Sequence, residues 1–250
     1  MEEKEYEEMY ALEDTYWWFQ GRKSIIFSLL NKHGLLRNDS RKNIVDLGCG
    51  TGLILGELNN IAMTFGVDFS ALALTFCRRR GLEHLVCADV NNLPFADTQF
   101  DLVFALDLLE HIEDDIHLMS EIYRILRPGG TIMITVPAHK SLWSEHDEAL
   151  HHFRRYSYRR FLNLITETGF VPRKYTYCIS FTFIPIVLFR HIQRLVKPSG
   201  KPKTHLIVLP SWINKALIKV LNIEAYLLRY INLPFGISLL CLAKKNKRSL

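Results

Sequence analysis

The segment Val45-Asp46-Leu47-Gly48-Cys49-Gly50-Thr51-Gly52 constrains the fold more than any other part of the chain. An apolar run ends in a glycine turn, and helix-like periodicity resumes at Leu53. Glycines at such a turn let the backbone approach a ligand and take angles that side chains forbid. A dinucleotide fold uses the same turn to seat a pyrophosphate at a helix start. Asp46 stands just before the glycines, where its charge opposes a phosphate and suits a ligand carrying an ammonium group. One glycine turn is a weak signal, so the residues that follow it decide the reading.

A second acid closes Gly66-Val67-Asp68-Phe69-Ser70, twenty-two residues after Asp46. This is the distance at which an α/β unit sets an acid against ribose hydroxyls. Asp89 follows Cys87-Ala88, and Asp107 closes the run Asp101-Leu102-Val103-Phe104-Ala105-Leu106. Four carboxylates thus stand at or just beyond the ends of predicted strands, on the edge where open parallel sheets bind ligands. Helix capping accounts for any one of them. It accounts poorly for all four beside one glycine turn.

With these pieces the chain resembles the class I S-adenosylmethionine-dependent methyltransferases. The matching segments are VDLGCGTG at 45–52, GVDFS at 66–70, ADVNNLPF at 88–95, FDLVFALDLLEHIED at 100–114 and LRPGG at 126–130. They cover roughly residues 43 to 137, in the family's order. The resemblance implies S-adenosylmethionine as cofactor, with Gly48, Cys49, Gly50 and Gly52 around its amino acid part. It implies that Asp68, with Phe69 beside it, holds the ribose hydroxyls. Asp89 and the Val90 backbone face the adenine amino group, and Asp107 and Leu108 line the methionine arm. YWWFQGR at 16–22, PAHKSLWSEHD, HHFRRYS and LPFGISLLCLAKK resemble a subgroup associated with cell-surface glycan or lipid-linked substrates.

The expected fold class is α/β, a Rossmann-like seven-stranded, mostly parallel sheet flanked by helices. Strands are predicted near 43–47, 63–67, 84–87, 101–106, 131–136, 171–178 and 236–243, and helices near 52–60, 70–80, 114–126 and 158–168. Arg127-Pro128-Gly129-Gly130 is expected to end the third of these helices. Residues 5–33 read as helical, with Tyr16, Trp17, Trp18 and Phe19 among the apolar positions. The expected organisation is an N-terminal helical lid (1–42), a methyltransferase core (43–178), a helical cap insertion (179–235), and the last strand with a basic tail (236–250). In the lid, Tyr16 or Trp17 would cover the sulfonium as an aromatic face attracts a cation, and Arg22 would pair with the cofactor's carboxylate. The alternative buries the aromatics against the sheet and under the cap.

Charge is divided sharply along the chain. Residues 1–150 hold 13 Lys and Arg against 24 Asp and Glu, a net −11, whereas residues 151–250 hold 18 against 2, a net +16. Such a half should meet anionic partners. Within it, the Phe181–Phe189 run and the amphipathic Trp212–Ile231 stretch join apolar faces to basic ones. They fit either a cap that roofs the substrate pocket or a surface lying on anionic membrane. Arg154, Arg155, Arg159, Arg160 and the Lys197–Lys203 loop read as a phosphate or carboxylate contact, or as a solvated face. Five scattered cysteines form no disulfide framework, and the acidic N-terminus lacks an apolar secretory segment. The expected location is therefore cytoplasmic, with peripheral contact at the inner face of the membrane if the second reading of the cap holds.

Four histidines, His139, His146, His151 and His152, fall within fourteen residues after the fifth strand. Methyl transfer to oxygen needs a base as well as alignment, and His146, then His151, are the candidate catalytic residues. The alternatives are a local structural role, with Asp147 capping a helix, and a zinc site from His146-Asp147 with His151-His152. No cysteine or rigid spacing supports zinc, so no metal is expected. His111 reads as structural near the cofactor edge, with general base as its alternative. The leading function is O-methyl transfer to a small or lipid-linked hydroxylated acceptor. N-methyl transfer to a small amine and a non-catalytic cofactor-binding scaffold are the alternatives. Nucleic acid is disfavoured as a partner, because the basic half interleaves charge with apolar runs. An NAD oxidoreductase is disfavoured by Asp46. The oligomeric state is left open.

Overall fold

The computed structural model describes residues 3–36, 42–188 and 209–246. Its strands are β1 (Asn43–Leu47), β2 (Met63–Asp68), β3 (His84–Cys87), β4 (Phe100–Leu106), β5 (Leu126–Pro137), β6 (Phe170–Cys178) and β7 (Ser238–Lys245). They form one seven-stranded sheet in the order β3-β2-β1-β4-β5-β7-β6. The first five strands pair in parallel, and β7 runs antiparallel between β5 and β6. Chain order reverses at β1, which lies between β2 and β4. The crevice beyond the carboxyl ends of these strands is where open α/β sheets bind ligands. The glycine turn and the acids Asp46, Asp68 and Asp107 all lie on that edge.

The helices are α1 (Glu3–Leu12), α2 (Trp17–Lys32), α3 (Leu53–Leu58), α4 (Ala71–Arg79), α5 (Asp115–Ile125), α6 (Glu145–Ala149), α7 (Tyr158–Glu167), α8 (183–188) and α9 (Ser211–Leu227). Parallel strands buried on both faces read as nearly continuous apolar runs, and alternate residues serve opposite layers. On β4, Leu102, Phe104 and Leu106 join the layer built with α2, α3 and α9. Val103 and Ala105 join the layer built with α5 and α7.

Two local expectations change. The stretch 5–33 is two helices, because the chain turns at 13–16. Glu13 leaves the helical path to bury its carboxylate, accepting from Thr51 Oγ1 at 2.6 Å and Arg80 Nη2 at 2.6 Å. Arg127-Pro128-Gly129-Gly130 lies inside β5 and does not merely terminate a helix. The helix stops at Ile125, and these residues form a register shift opposite Phe100 and Leu102. Pro128 has no N–H to donate to the ladder, which a bulge tolerates.

The insertion before β7 is helical, as expected, and α9 packs on α2. Asn214 ties their ends, accepting from the Trp17 N–H at 2.9 Å and donating to Thr15 O at 2.8 Å. Buried Glu224 on α9 accepts the Ser180 N–H at 2.9 Å, fixing the start of the insertion. The basic run Arg190–Arg194, the Lys197–Lys203 loop and the last four residues of the tail lie outside the described residues. Among the described residues no helix is long and apolar enough to cross a membrane.

Candidate active site

The turn after β1 has the backbone its composition predicts. Gly48, Gly50 and Gly52 take φ of 67°, 54° and 83°, the left-handed region that side chains resist. The helix α3 starts at this turn, with Gly52 as its N-terminal flanking residue. Cys49 is buried, its Sγ 3.8 Å from that of Cys77, and the contact together with burial holds its thiol well above the usual range.

Asp68 ends β2 with both oxygens engaged. Oδ2 accepts the Gly50 N–H at 2.8 Å and Oδ1 accepts the Ser70 N–H at 2.9 Å. The carboxylate therefore clamps the glycine turn to β2. The Tyr6 hydroxyl also bonds it, and burial beside this carboxylate pushes the Tyr6 phenol up to about 12. Phe69 next to it is 82% exposed, an uncovered ring on the ligand edge. Asp89 is exposed and accepts from the Asn91 backbone and side chain, both at 2.9 Å, while Val90 is buried.

Asp46 is buried, and its Oδ1 has no hydrogen-bond partner. Burial pushes its carboxyl up to about 7, Arg22 opposing and Asp68 adding to the shift. Arg22 is ion-paired with Asp107, whose other oxygen accepts from Thr135 Oγ1 at 3.0 Å. Asp107 has a φ of 52°, a strained conformation held by its N–H to Thr135 O at 2.9 Å. Leu108 packs on Gly48. Tyr16 leads into α2, and Trp17 packs with the α2/α9 layer, its ring 5.9 Å from that of Tyr16.

The histidines separate in space. His146 is exposed on α6, and His151 is exposed with a φ of 55°. His139 stacks on Tyr177, centroids 5.1 Å apart. His152 instead meets His111, with centroids 4.5 Å apart and rings nearly perpendicular. Burial, with His152 beside it, lowers His111 to about 4. Asp147 caps α6 by bonding the Ser144 N–H at 2.9 Å, and it also holds His152 Nδ1 at 3.1 Å and Arg155 Nε at 2.7 Å. The arginines after His152 serve internal carboxylates: Arg154 pairs with Asp115 at 2.9 Å and Arg155 with Asp147. Glu13, Tyr6 and the His111–His152 pair escaped sequence reasoning, since each meets the site across a long stretch of chain.

A five-strand parallel run, an antiparallel seventh strand between β5 and β6, a glycine turn after β1 and an acid ending β2 define the class I S-adenosylmethionine-dependent methyltransferase fold, and this chain has it. Residues 45–134 match the family model described as a methyltransferase domain. A chain solved in complex with the Haloferax volcanii Trm112 methyltransferase activator superposes with a TM-score of 0.60 at 20% identity, over 98% of this chain and 94% of that one. Norajmaline N-methyltransferase of Rauvolfia serpentina is 33% identical over 113 residues, 40% of this chain and 38% of the relative. Probable tRNA methyltransferase 9B of Mus musculus is 38% identical over 96 residues, 37% of this chain and 21% of the relative. Tocopherol O-methyltransferase, chloroplastic, of Arabidopsis thaliana is 27% identical over 164 residues, 61% of this chain and 44% of the relative. The chain spans less than half the length of these curated relatives.

These relatives correct one expectation. Disfavouring nucleic acid from the charge pattern of the second half does not stand, because a relative named for tRNA is among the similar proteins. The charge pattern of residues 151–250 therefore does not exclude an acceptor class. The names of the three relatives described point to different acceptors, and none is a cell-surface glycan.

Burial of Asp46 has a measurable consequence. A bound cation favours the ionised carboxylate, so S-adenosylmethionine binding near pH 6.5 should release a proton, and affinity should fall as pH drops below about 7. Calorimetric titration in buffers of different ionisation enthalpy reads the proton directly. Equal apparent heats in all buffers would place the ligand's cation away from Asp46. In the absence of ligand the sign reverses for folding. The folded state holds this proton more tightly than the unfolded chain, so the Asp46 contribution to stability declines as pH rises from about 4 to about 7.

Proposed function

We propose that this chain is a methyltransferase that seats S-adenosylmethionine across the carboxyl ends of β1, β2 and β4 and transfers its methyl group to a hydroxyl oxygen of an acceptor with an apolar body. The observation that carries the cofactor half is the buried, unpartnered Asp46 oxygen beside three glycines of positive φ. An ammonium or sulfonium group supplies what that carboxylate lacks. In this reading Gly48, Cys49, Gly50 and Gly52 surround the amino acid part and Asp68 receives the ribose hydroxyls in exchange for Tyr6. Phe69, Asp89 and Val90 flank the adenine, and Asp107 and Leu108 line the methionine arm. Tyr16, Trp17 and Arg22 enclose the site from α2, where exclusion of water strengthens each electrostatic contact.

The acceptor half rests on the insertion and on one relative. Phe181, Ile184, Leu188 and Trp212, on the inserted helices and their approach, are each exposed apolar side chains, which suits an apolar ligand. Tocopherol O-methyltransferase, named for methylating an oxygen, has the longest alignment of the three relatives described. A second reading, an RNA acceptor, is supported by the tRNA-named relative and by the +16 charge of residues 151–250.

Calorimetry with S-adenosylmethionine and its demethylated product tests the cofactor half, with NAD as the control that should give no heat. Asp68→Ala is expected to weaken binding by about 1–3 kcal/mol, roughly 5- to 150-fold, with unchanged circular dichroism. A folded sample that binds neither sulfur compound overturns the assignment. Labelled methyl transfer into a membrane-lipid extract and into total tRNA separates the acceptors. Label entering the organic phase supports the leading reading, and label entering RNA alone replaces it with the second.

A further inference from the structure

We propose that Glu110, His111 and His152 form a binding site for a divalent first-row transition-metal ion. A carboxylate oxygen of Glu110 and one nitrogen from each imidazole lie within 4.8 Å of one another, the one such grouping among the described residues. Glu110 is 1% exposed, and its Oε2 is buried without a hydrogen-bond partner. A buried carboxylate oxygen left bare is costly, and a cation is the partner that the two neighbouring imidazoles can share with it.

Both imidazoles are already oriented from behind. His152 Nδ1 is held by Asp147 Oδ1 at 3.1 Å, which leaves Nε2 for the ion. Asp147 is itself fixed by Arg155, whose Nη1 donates to Ala138 O at 3.1 Å. His111 bonds the Leu150 backbone with its ring, so one nitrogen remains there as well. Metal-ligating histidines are oriented in this way, by a carboxylate or a carbonyl on the second nitrogen. The segments are joined independently of the side chains, by the Phe153 N–H donating to Glu110 O at 2.8 Å.

Two imidazoles and one carboxylate suit zinc, cobalt, iron or manganese and leave positions open for an oxygen ligand. Ligand atoms around a tetrahedral ion with bonds of about 2.1 Å sit about 3.4 Å apart, so the donors need close by no more than about 1.4 Å. The grouping follows β4 on the ligand edge of the sheet, three residues after Asp107. An ion there would polarise an acceptor oxygen, a role that rests on the methyl-transfer reading, whereas ion binding itself does not. The sequence pattern disfavours zinc among His146, Asp147, His151 and His152, because no cysteine or rigid spacing accompanies them. The groups that join His152 lie 42 and 41 residues earlier, at Glu110 and His111.

The test uses the full chain, stripped with chelator and titrated with Zn²⁺ by calorimetry and with Co²⁺ by visible absorption. One ion per chain is expected, with cobalt bands intensified by low-symmetry nitrogen and oxygen coordination and without thiolate charge transfer. Glu110→Gln, close to isosteric, and His152→Ala should each weaken Zn²⁺ binding by at least about 100-fold while circular dichroism is retained. Should His152→Ala fail to fold, Glu110→Gln alone decides. Absence of binding to the wild-type chain overturns the proposal, as does affinity unchanged by Glu110→Gln or a thiolate spectrum, which would assign the ion to a cysteine. S-adenosylmethionine binding measured on the same samples keeps failure of this site distinct from failure of the cofactor assignment.

Discussion

Asp147→Ala is expected to lower the stability of the folded chain by about 3–5 kcal/mol, the cost of stripping one partner from a buried ion pair. The Asp147 side chain is 0% exposed and that of Arg155 only 6%. Oδ1 accepts from Arg155 Nε at 2.7 Å and Oδ2 from Arg155 Nη2 at 3.1 Å, a fork against a fork. Alanine would leave the guanidinium buried with only the Ala138 carbonyl, and would free His152 and the start of α6 together. For a chain of this size the loss corresponds to roughly 6–20 °C in thermal midpoint. Burial alone would raise the Asp147 carboxyl, but the hydrogen bonds and charges of His152 and Arg155 hold it well below the usual carboxylate range. Its contribution is therefore present above about pH 4 and lost as pH falls through the folded value. Urea unfolding at pH 7 and below pH 4 reads both effects. Replacing Arg155 with Met in the Asp147→Ala background should recover part of the loss, since the uncompensated charge is gone. A single variant within about 1 kcal/mol of wild type would mean that water reaches Arg155 and the pair is worth little.

Gly48→Val is expected to reduce S-adenosylmethionine affinity by between about 30-fold and several thousand-fold. A left-handed conformation costs a residue with a Cβ about 1–2 kcal/mol, and a β-branched side chain is a true outlier there. Gly48 has a φ of 67°, and an added Cβ would lie 2.9 Å from Leu108 Cδ1. Overpacking of this kind costs about 1–3 kcal/mol. The combined cost of about 2–5 kcal/mol gives the stated range if the turn relaxes out of its binding shape. Gly48→Ala, which bears the backbone strain with less bulk, should fall between wild type and the valine variant. Calorimetric titration of the three proteins, with circular dichroism to verify folding, separates a deformed turn from an unfolded chain. Wild-type affinity in Gly48→Val would show that the turn is not part of the cofactor site.

Strand positions were legible because parallel strands covered on both faces must be apolar nearly throughout. β1 and β3 fall on the predicted residues, 43–47 and 84–87. Helix ends were legible where the cap is local: Ser70 accepts the Ala73 N–H and Asp114 the His117 N–H, each three residues on. The break between α1 and α2 was not legible. Nothing near Glu13 in sequence marks it, and what draws the carboxylate inward is Thr51 and Arg80, reached only through the tertiary fold. The bulge at Pro128 was half legible: the sequence marks the end of a helix there, whereas the partner strand decides that the segment joins β5 as a register shift.

The candidate site divides in the same way. The glycine turn and the acids at the ends of β1, β2 and β4 follow from residues a few positions apart, because backbone angle and strand period are local properties, and the cofactor class is what the family resemblance of these segments implies. Which groups face one another could not follow from them. Arg22, expected to meet the cofactor's carboxylate, pairs with Asp107, 85 residues away, a partner no local pattern indicates. His146 and His151 led the sequence ranking, yet the imidazole that joins the buried cluster is His152, brought to Glu110 and His111 by a backbone bond between Phe153 and Glu110. Neighbouring residues in a loop point in different directions, and only packing against a distant element selects the one that turns inward. The sequence alone therefore determined a mostly parallel Rossmann-like sheet with a glycine cradle at its edge. Tertiary structure alone decided which carboxylates and imidazoles are desolvated together, since desolvation depends on every segment that closes over them.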